Sequence, residues 1–203
     1  MAPPRIRDDP TVRRAQILDQ AIRVIGERGY YGFTVQELAK ACGLSNAGLL
    51  HHFPSKDQLF LAALQELEHR EVEIMSPLVE AAARGGEGDG AKQAVLDVLR
   101  TMVARSTAHP QRLRLFAELN VEALDPLHPA HGRWRDRERV VTELFAKLLA
   151  PHVDEPLTLA RLLLAMMDGC CLRRLWAGQA FDAVAEWDRA VARLLPELAT
   201  PSG

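Results

Sequence analysis

Histidines close to carboxylates are the first residues in this sequence whose spacing could support chemistry. Glu66 and His69 form a Glu-x-x-His pair, the element from which di-iron sites are built in helical bundles. Such a site requires two of these pairs and no second one occurs, so an exposed helical face is expected. His128 and His131, with Asp125 nearby, form the other metal-like cluster. Zinc normally takes three or four convergent ligands, so no metal site is predicted, although a sensing role for these histidines stays open.

The three cysteines form neither a disulfide framework nor a metal pattern, since Cys170 and Cys171 are adjacent and Cys42 is far away. Neighbouring side chains on a helix point about 100° apart, so buried structural thiols are expected, with a redox-sensing role as the alternative. The sequence contains no G-x-S-x-G motif and no P-loop. No catalytic nucleophile has a recognisable setting, and the prediction is a protein that is not an enzyme and has no cofactor.

A segment of fourteen residues, GLSNAGLLHHFPSK at 43–56, concentrates residue types that suit contact with DNA. Gly43 can form a tight turn, and Ser45 can cap the helix that follows. Asn46 then lies in the first turn, where recognition helices contact base edges, and an Asn amide can pair with adenine N6 and N7. The spacing indicates a helix-turn-helix, although by itself it leaves an exposed helical hairpin with incidental histidines open.

The rest of this segment divides between core and surface. Leu49 and Phe53, four residues apart, are expected to point into a three-helix core. Ala47 and Gly48 leave little side chain between the backbone and DNA. Lys56, at the start of the next helix, can approach a phosphate, a contact that positions the protein without reading sequence.

The elements that position these residues are predicted to be helices throughout. Apolar residues recur at helical spacing, no strand pattern is present, and Thr34 with Glu37 forms a capping box before the second helix. Gly29 is expected to end the first helix. The sequence therefore predicts an all-α fold, with helices at about 11–28, 35–41, 46–52, 56–84, 91–108, 111–124, 132–150, 156–177 and 181–198.

Composition and charge set the broad class of protein. Of 203 residues, 48% are apolar and 26% are charged, the balance of a folded globular chain. The net charge is −2, yet residues 1–60 hold eight Lys/Arg and six acidic residues, against 17 and 21 in the remainder. No apolar run approaches the length of a membrane span, and the first residues lack the apolar core of a secretion signal. A cytoplasmic protein with no membrane contact is expected.

The helix predicted at 156–177 has apolar residues nearly all the way round, including two leucine-rich turns and Trp176. A second face is therefore expected to meet another surface. Together with the last helix, it predicts a homodimer formed through a four-helix bundle, with a helix central to a monomer as the alternative.

The first fifty-odd residues resemble the DNA-binding domain of the TetR (tetracycline-repressor-type) transcriptional regulators. The resemblance is carried, without gaps, by Phe33-Thr34, the Glu-Leu-Ala at 37–39, the Gly-Leu-Ser turn at 43–45, His52-Phe53 and Ser55-Lys56. The remainder is similar in length and helix count but has no diagnostic motif. The resemblance implies a helix-turn-helix DNA-binding domain at 1–55 and an effector-binding and dimerisation domain at 56–203.

The resemblance also implies the roles of individual residues. Base edges are expected to be faced by Gln36, Asn46, Ala47 and His51. Phosphates are expected to be met by Thr34, Gly48, Leu50, His52 and Lys56. Leu50 departs from the family, which usually has tyrosine there; leucine cannot donate a hydrogen bond to phosphate, and contact with a thymine methyl is the expected substitute. Arg5 and Arg7 could form a minor-groove arm, with a disordered tail as the alternative.

The function implied is a repressor that binds a palindromic operator as a homodimer and is released by a small-molecule effector. The alternatives are a helical-bundle ligand carrier or enzyme with a vestigial helix-turn-helix, and a metal or redox sensor. Effector contacts are predicted among mostly apolar residues that could equally be plain core. These are Leu67, Met75, Met102, Phe116, Asn120, Trp134 and Met167.

Overall fold

Helices form every regular element in the computed structural model, which describes residues 9–86 and 88–195. This confirms the all-α prediction; Arg5 and Arg7 lie outside the described residues. Nine α-helices and one short 3-10 helix, Gly178–Ala180, occur within these ranges. The α-helices are α1 Pro10–Gly32, α2 Val35–Ala41, α3 Asn46–His52, α4 Lys56–Ala83, α5 Asp89–Ala108, α6 Pro110–Glu122, α7 His131–Leu149, α8 Pro156–Ala177 and α9 Ala183–Leu194.

Two compact units divide the chain between Arg70 and Glu71. The first unit contains α1, α2, α3 and the first half of α4, so it extends past residue 55, where the sequence placed the functional boundary. The reason is that Leu59 and Phe60 of α4 are buried together with the apolar faces of the first three helices. The division of function at residue 55 stays a prediction.

The first unit has a small core made by one face of each helix. Its buried side chains include Ile17, Leu18 and Ile25 of α1, Phe33, Leu38 of α2, Leu49 of α3, Phe53, Leu59 and Phe60. Burying each large side chain contributes about 1.5–3 kcal/mol, so the face of α3 that carries Leu49 is fixed inward and the opposite face is left to solvent.

Glycine produces the one departure from helical geometry inside α1. Gly29 has φ 67° and ψ −179°, a conformation that is open almost only to glycine, and a further turn then runs to Gly32. The expected end of the first helix at Gly29 therefore corresponds to this break.

The second unit is arranged around α8, which contacts α5, α6, α7 and α9. Its core joins α5, α7, α8 and α9 through buried Val95, Leu99, Phe145, Leu149, Leu163 and Trp187. Prolines begin both α6 and α8, where the missing N–H leaves no helical hydrogen bond unmade. Among the helices of the described residues, none is both long and apolar enough to cross a membrane.

Candidate nucleic-acid interface and effector cavity

The turn between α2 and α3 is built by local hydrogen bonds that the sequence predicted. The backbone N–H of Glu37 donates to Thr34 Oγ1 (3.2 Å), and the backbone N–H of Thr34 donates to Glu37 Oε2 (3.1 Å), which completes the capping box. The Thr34 hydroxyl also donates to Glu37 Oε2 (3.0 Å), and this bond together with the one from the Thr34 N–H lowers the pKa of Glu37. Gly43 has φ 64°, and the N–H of Leu44 reaches the carbonyl oxygen of Ala39 (2.8 Å) to close the turn.

The N-terminus of α3 is capped by Ser45, whose Oγ accepts a hydrogen bond from the N–H of Gly48 (3.0 Å). A Cβ on Gly48 would lie 3.2 Å from this same Oγ. The small size of Gly48 therefore preserves the cap, in addition to the close backbone approach that the sequence suggested.

The predicted DNA-contacting residues all lie at least partly on the surface of the first unit. Asn46, Ala47, Leu50 and His51 of α3 are exposed, while Leu49 between them is buried. The second helix contributes exposed Thr34 and Gln36, and Gly48, His52 and Lys56 are half-buried. The first unit thus presents an outward α3 face with an amide, an imidazole and small side chains, the groups suited to base edges.

Two arginines of α1 hold the C-terminal ends of the helix-turn-helix, a role that sequence reasoning missed. Arg13 donates through Nη2 to the carbonyl oxygen of Cys42 at the end of α2 (3.0 Å). Arg14 donates through Nη1 to the carbonyl oxygen of His52 at the end of α3 (3.3 Å). Positive charge at a helix C-terminus is favourable, because the last carbonyl groups carry partial negative charge.

Lys56 contacts two aromatic rings of its own unit, in addition to its predicted contact with a DNA phosphate. Its Nζ lies 4.6 Å from the ring centroids of both Tyr30 and Phe33, a cation-π arrangement. Tyr30 donates its hydroxyl to Asp57 Oδ1 (2.5 Å), and burial together with this bond raises the pKa of Tyr30 to about 12. The start of α4 is therefore fixed on an aromatic platform.

A cavity of about 590 Å³ lies in the second unit, formed mainly by α6, α7 and α8. Four predicted effector residues line it: Phe116, Asn120, Trp134 and Met167. The other three lie elsewhere. Met75 and Met102 belong to or pack on the core of this unit, and Leu67 is a buried residue of the first unit. These three residues are apolar because they belong to the packed cores of the two units, which explains why the sequence suggested them as ligand contacts.

The polar end of the cavity is a connected set of side chains. Trp134 donates through Nε1 to Asn120 Oδ1 (2.8 Å), and Asn120 also forms a side-chain hydrogen bond with Asp168. The Arg137 guanidinium lies 4.7 Å from the Trp134 ring centroid and 4.9 Å from that of Phe116. Sequence reasoning missed Asp168 and Arg137.

Asp168 has an unusual setting for a carboxylate. The residue is exposed overall, yet it lines the cavity and its carboxyl group is partly desolvated. This desolvation raises the pKa of Asp168, and the charge of Arg137 and the hydrogen bond from Asn120 offset it only in part. The cavity can therefore bind a ligand that has an apolar body and a polar end group.

The histidines and cysteines that the sequence offered for metal or redox sensing have structural settings instead. His128 Nδ1 accepts from the N–H of Ala130 (3.2 Å), and a ring nitrogen of His131 lies 2.8 Å from the Ala123 carbonyl oxygen, so both shape the α6–α7 loop. Across residues 9–86 and 88–195, no group of three or more His, Cys, Asp or Glu side chains is placed to hold a metal ion. Burial raises the pKa of Cys170 and raises that of Cys171 to about 12, which disfavours reactive thiolates.

The first unit and its exposed α3 face define a helix-turn-helix DNA-binding protein. A family model described as "Bacterial regulatory proteins, tetR family" matches residues 17–63, and "Tetracyclin repressor-like, C-terminal domain" matches residues 90–197. The chain belongs to the TetR family of transcriptional regulators. The family named from the sequence is thereby confirmed.

Similar proteins of known name or structure agree with this assignment. The transcriptional repressor AcnR of Corynebacterium glutamicum is 30% identical over 151 residues, covering 73% of this chain and 70% of that repressor. A TetR transcription regulator from Haloarcula marismortui has a TM-score of 0.72 at 19% identity, covering 90% and 96% of the two chains. AibR, solved with isovaleryl coenzyme A and operator DNA, has a TM-score of 0.65 at 19% identity, covering 91% and 98%.

Proposed function

We propose that the protein is a ligand-responsive repressor that binds a palindromic operator as a homodimer. The observation that carries the proposal is the outward face of α3, with Asn46, Ala47 and His51 exposed on a helix that is fixed at both ends. In this arrangement Asn46 pairs with adenine in the major groove, and Gln36 at the start of α2 reads a neighbouring base edge.

Phosphate contacts set the register of the protein on the duplex. Thr34, Gly48, His52 and Lys56 flank the base-reading residues and meet the backbone on either side of the groove. Leu50 is exposed at 40% and meets a thymine methyl in place of a phosphate. The AcnR relatives, which are repressors by name, support the regulatory role.

The effector is a small amphipathic molecule that enters the α6–α8 cavity. Phe116, Trp134 and Met167 contact its apolar body, and Asn120, Arg137 and Asp168 meet its polar end. The binding of isovaleryl coenzyme A by AibR supports a small-molecule effector of this general kind. Coupling between effector and operator of about 1–3 kcal/mol changes operator affinity 5- to 150-fold.

The homodimer forms through the last two helices, with α8 providing most of the apolar contact. Leu162, Leu172 and Trp176 of α8 are exposed at 57%, 49% and 81%. The apolar face of α9, which carries Trp187 and Val191, is already buried in the core of its own unit. The two copies then place two α3 helices on successive major grooves.

The experiment that tests this function is selection of bound DNA from a random duplex library by the purified full-length protein at moderate salt. We expect an inverted repeat whose affinity falls steeply with salt. Asn46→Ala should reduce the preference at one position per half-site, whereas Gln65→Ala, an exposed amide on α4, should leave the recovered motif unchanged. Recovery of no preferred duplex would reject the repressor and favour the ligand carrier.

A further inference from the structure

A chain of hydrogen bonds in the second unit ends at a carboxylate. Trp134 Nε1 donates to Asn120 Oδ1 (2.8 Å). An indole N–H can only donate, so this bond turns the amide oxygen towards Trp134 and leaves the amide N–H groups to donate to Asp168. We call these three residues the Asp168 relay, because both of its bonds point their donors towards Asp168.

The carboxylate at the end of the relay can bind only a donor. An ionised carboxylate accepts hydrogen bonds at about four sites and donates none. All three residues of the relay line the α6–α8 cavity, so acceptor sites that Asn120 does not use are available to a ligand there. A ligand carboxylate or phosphate beside Asp168 would place acceptor against acceptor and leave both groups unsatisfied.

A second carboxylate adds negative charge at the same end of the cavity. Glu138 of α7 lines the cavity, and its charge raises the pKa of Asp168. Desolvation raises this pKa further, while the charge of Arg137 and the bond from Asn120 offset these effects only in part. The ionised Asp168 is therefore held at a cost, which a ligand cation would relieve.

Two aromatic rings beside the relay are arranged to stabilise a positive group. The ring centroids of Phe116 and Trp134 are 5.4 Å apart and their planes are inclined by 54°. The Arg137 guanidinium lies within 5 Å of both centroids, at 4.9 Å and 4.7 Å. Since the faces of aromatic rings attract cations, Arg137 marks a place where both rings and the charge of Asp168 favour a positive group.

Arg135 and Arg161 also line the cavity and would favour an anion instead. Both residues are exposed, and among the described residues no hydrogen bond connects either of them to the Asp168 relay. The charge of an exposed side chain is weakened by water and salt, whereas Asp168 is partly desolvated and fixed by its relay. The Asp168 end is thus the stronger determinant of ligand charge.

We propose that the effector is an amphipathic amine, whose ammonium group binds Asp168 and the rings of Phe116 and Trp134 in the place that Arg137 occupies. Asp168 accepts the N–H bonds of the ammonium group, and the two rings stabilise its charge. The polar end of the effector therefore meets Asp168 as a partner and Arg137 as a competitor. This inference rests on the proposed function for the existence of an effector.

The test is calorimetric titration of the full-length protein at neutral pH with three probes that share a phenylpentyl body and end in an ammonium, a hydroxyl or a carboxylate group. We expect the ammonium probe to bind about tenfold more tightly than the alcohol and the carboxylate probe to bind most weakly. The shared body keeps the apolar contacts constant, so these differences report the end group alone.

Asp168→Asn should weaken the ammonium probe about tenfold and leave the alcohol within about twofold, because asparagine keeps the size of the side chain and loses its charge. Asp136→Asn is the matched control, since Asp136 is an exposed aspartate of α7 outside the cavity lining. It should leave the affinities of all three probes unchanged.

Arg137→Met should raise the affinity of the ammonium probe several-fold, because it removes the competing cation and keeps an apolar side chain beside the rings. Arg139→Met, at an exposed arginine of the same helix outside the cavity lining, should not. Circular dichroism checks that each variant is folded. If Arg137→Met fails to fold, the order of the three probes and the Asp168→Asn result still decide the proposal.

Three results would each overturn the proposal: a carboxylate probe that binds more tightly than the ammonium probe, an ammonium affinity that Asp168→Asn leaves unchanged, or no binding of any probe at millimolar concentration. An ammonium affinity that falls in a folded Arg137→Met variant would overturn the competitor role of Arg137. These titrations contain no DNA, so failure of the repressor function in the DNA selection is a separate outcome.

Discussion

Arg14 of α1 connects two features at the end of the recognition helix. Its Nη1 donates to the carbonyl oxygen of His52 (3.3 Å), and its guanidinium carbon lies 4.2 Å from the Phe53 ring centroid. Phe53 is buried, so one contact fixes the last carbonyl of α3 and the other covers the core residue that follows it. Arg14 is thus a positioning residue for α3.

Replacing Arg14 tests this role. Arg14→Ala should lower the free energy of unfolding by about 0.5–1 kcal/mol, because an exposed hydrogen bond and cation-π contact are lost. Operator affinity, measured well below the unfolding temperature, should fall several-fold through a looser α3, and Arg14→Lys should recover part of it. Arg23→Ala, whose recorded bonds are to Gln20 and Glu27 of its own helix, should leave affinity unchanged. Equal affinity losses in both variants would assign the effect to general charge.

Leu50 offers a test of how this chain replaces the family's usual tyrosine. Because Leu50 is proposed to contact a thymine methyl, Leu50→Tyr should remove this contact and weaken the preference for thymine at one position per half-site. Comparing the full motif recovered from random DNA by the two proteins checks this. Affinity that rises by a similar factor for many duplexes, with no changed base preference, would instead show that the tyrosine hydroxyl only restores a phosphate contact.

Local signals explain why the helix-turn-helix could be predicted from the sequence. Thr34, Glu37, Gly43 and Ser45 each act within a few residues, and their caps and turn form as expected. The supporting role of Arg14 depends on a partner 38 residues away, which no local pattern indicates.

The effector cavity was only partly predictable for a different reason. Met102 packs on the core and does not line the cavity, whereas Met167 belongs to the core and also lines the cavity, yet both are apolar residues at helical spacing. Composition cannot separate these two environments. Asp168 is the single acidic residue of α8, whose other charged residues are Arg161, Arg173 and Arg174, and this isolated carboxylate is the signal that could have located the polar end of the cavity.

Glu71 predicts an acid-sensitive contribution to the stability of the second unit. Burial raises the pKa of Glu71, but its hydrogen bond with Arg105 (2.7 Å) and the charges of Arg112 and Arg105 outweigh this, so the pKa is lowered below 4.5. Because the folded pKa is depressed, the stabilisation is present above pH 4.5 and is lost as the pH falls through the folded value.

Glu71→Gln should therefore destabilise the protein by about 1–2 kcal/mol at pH 7, with a difference that shrinks below the ordinary pKa of glutamate. Urea unfolding of both proteins at several pH values measures it. Glu143→Gln, which removes an exposed i,i+4 pair with Arg139, should change stability little at any pH. A Glu71→Gln difference that is constant with pH would contradict the linkage.

The ionised Asp168 is expected to lower the stability of the protein at neutral pH, which is the opposite of the effect of Glu71. Desolvation by the cavity walls raises its pKa, so the folded state disfavours the ionised carboxylate. Asp168→Asn should then increase stability at neutral pH, and this gain should diminish as the pH falls through the raised pKa and vanish below the ordinary value of 3.8. Urea unfolding at pH 7 and at acidic pH measures the gain, with Asp136→Asn as the exposed control on α7. Destabilisation at pH 7 would mean that Asn120 and Arg137 hold the ionised form more strongly than burial opposes it.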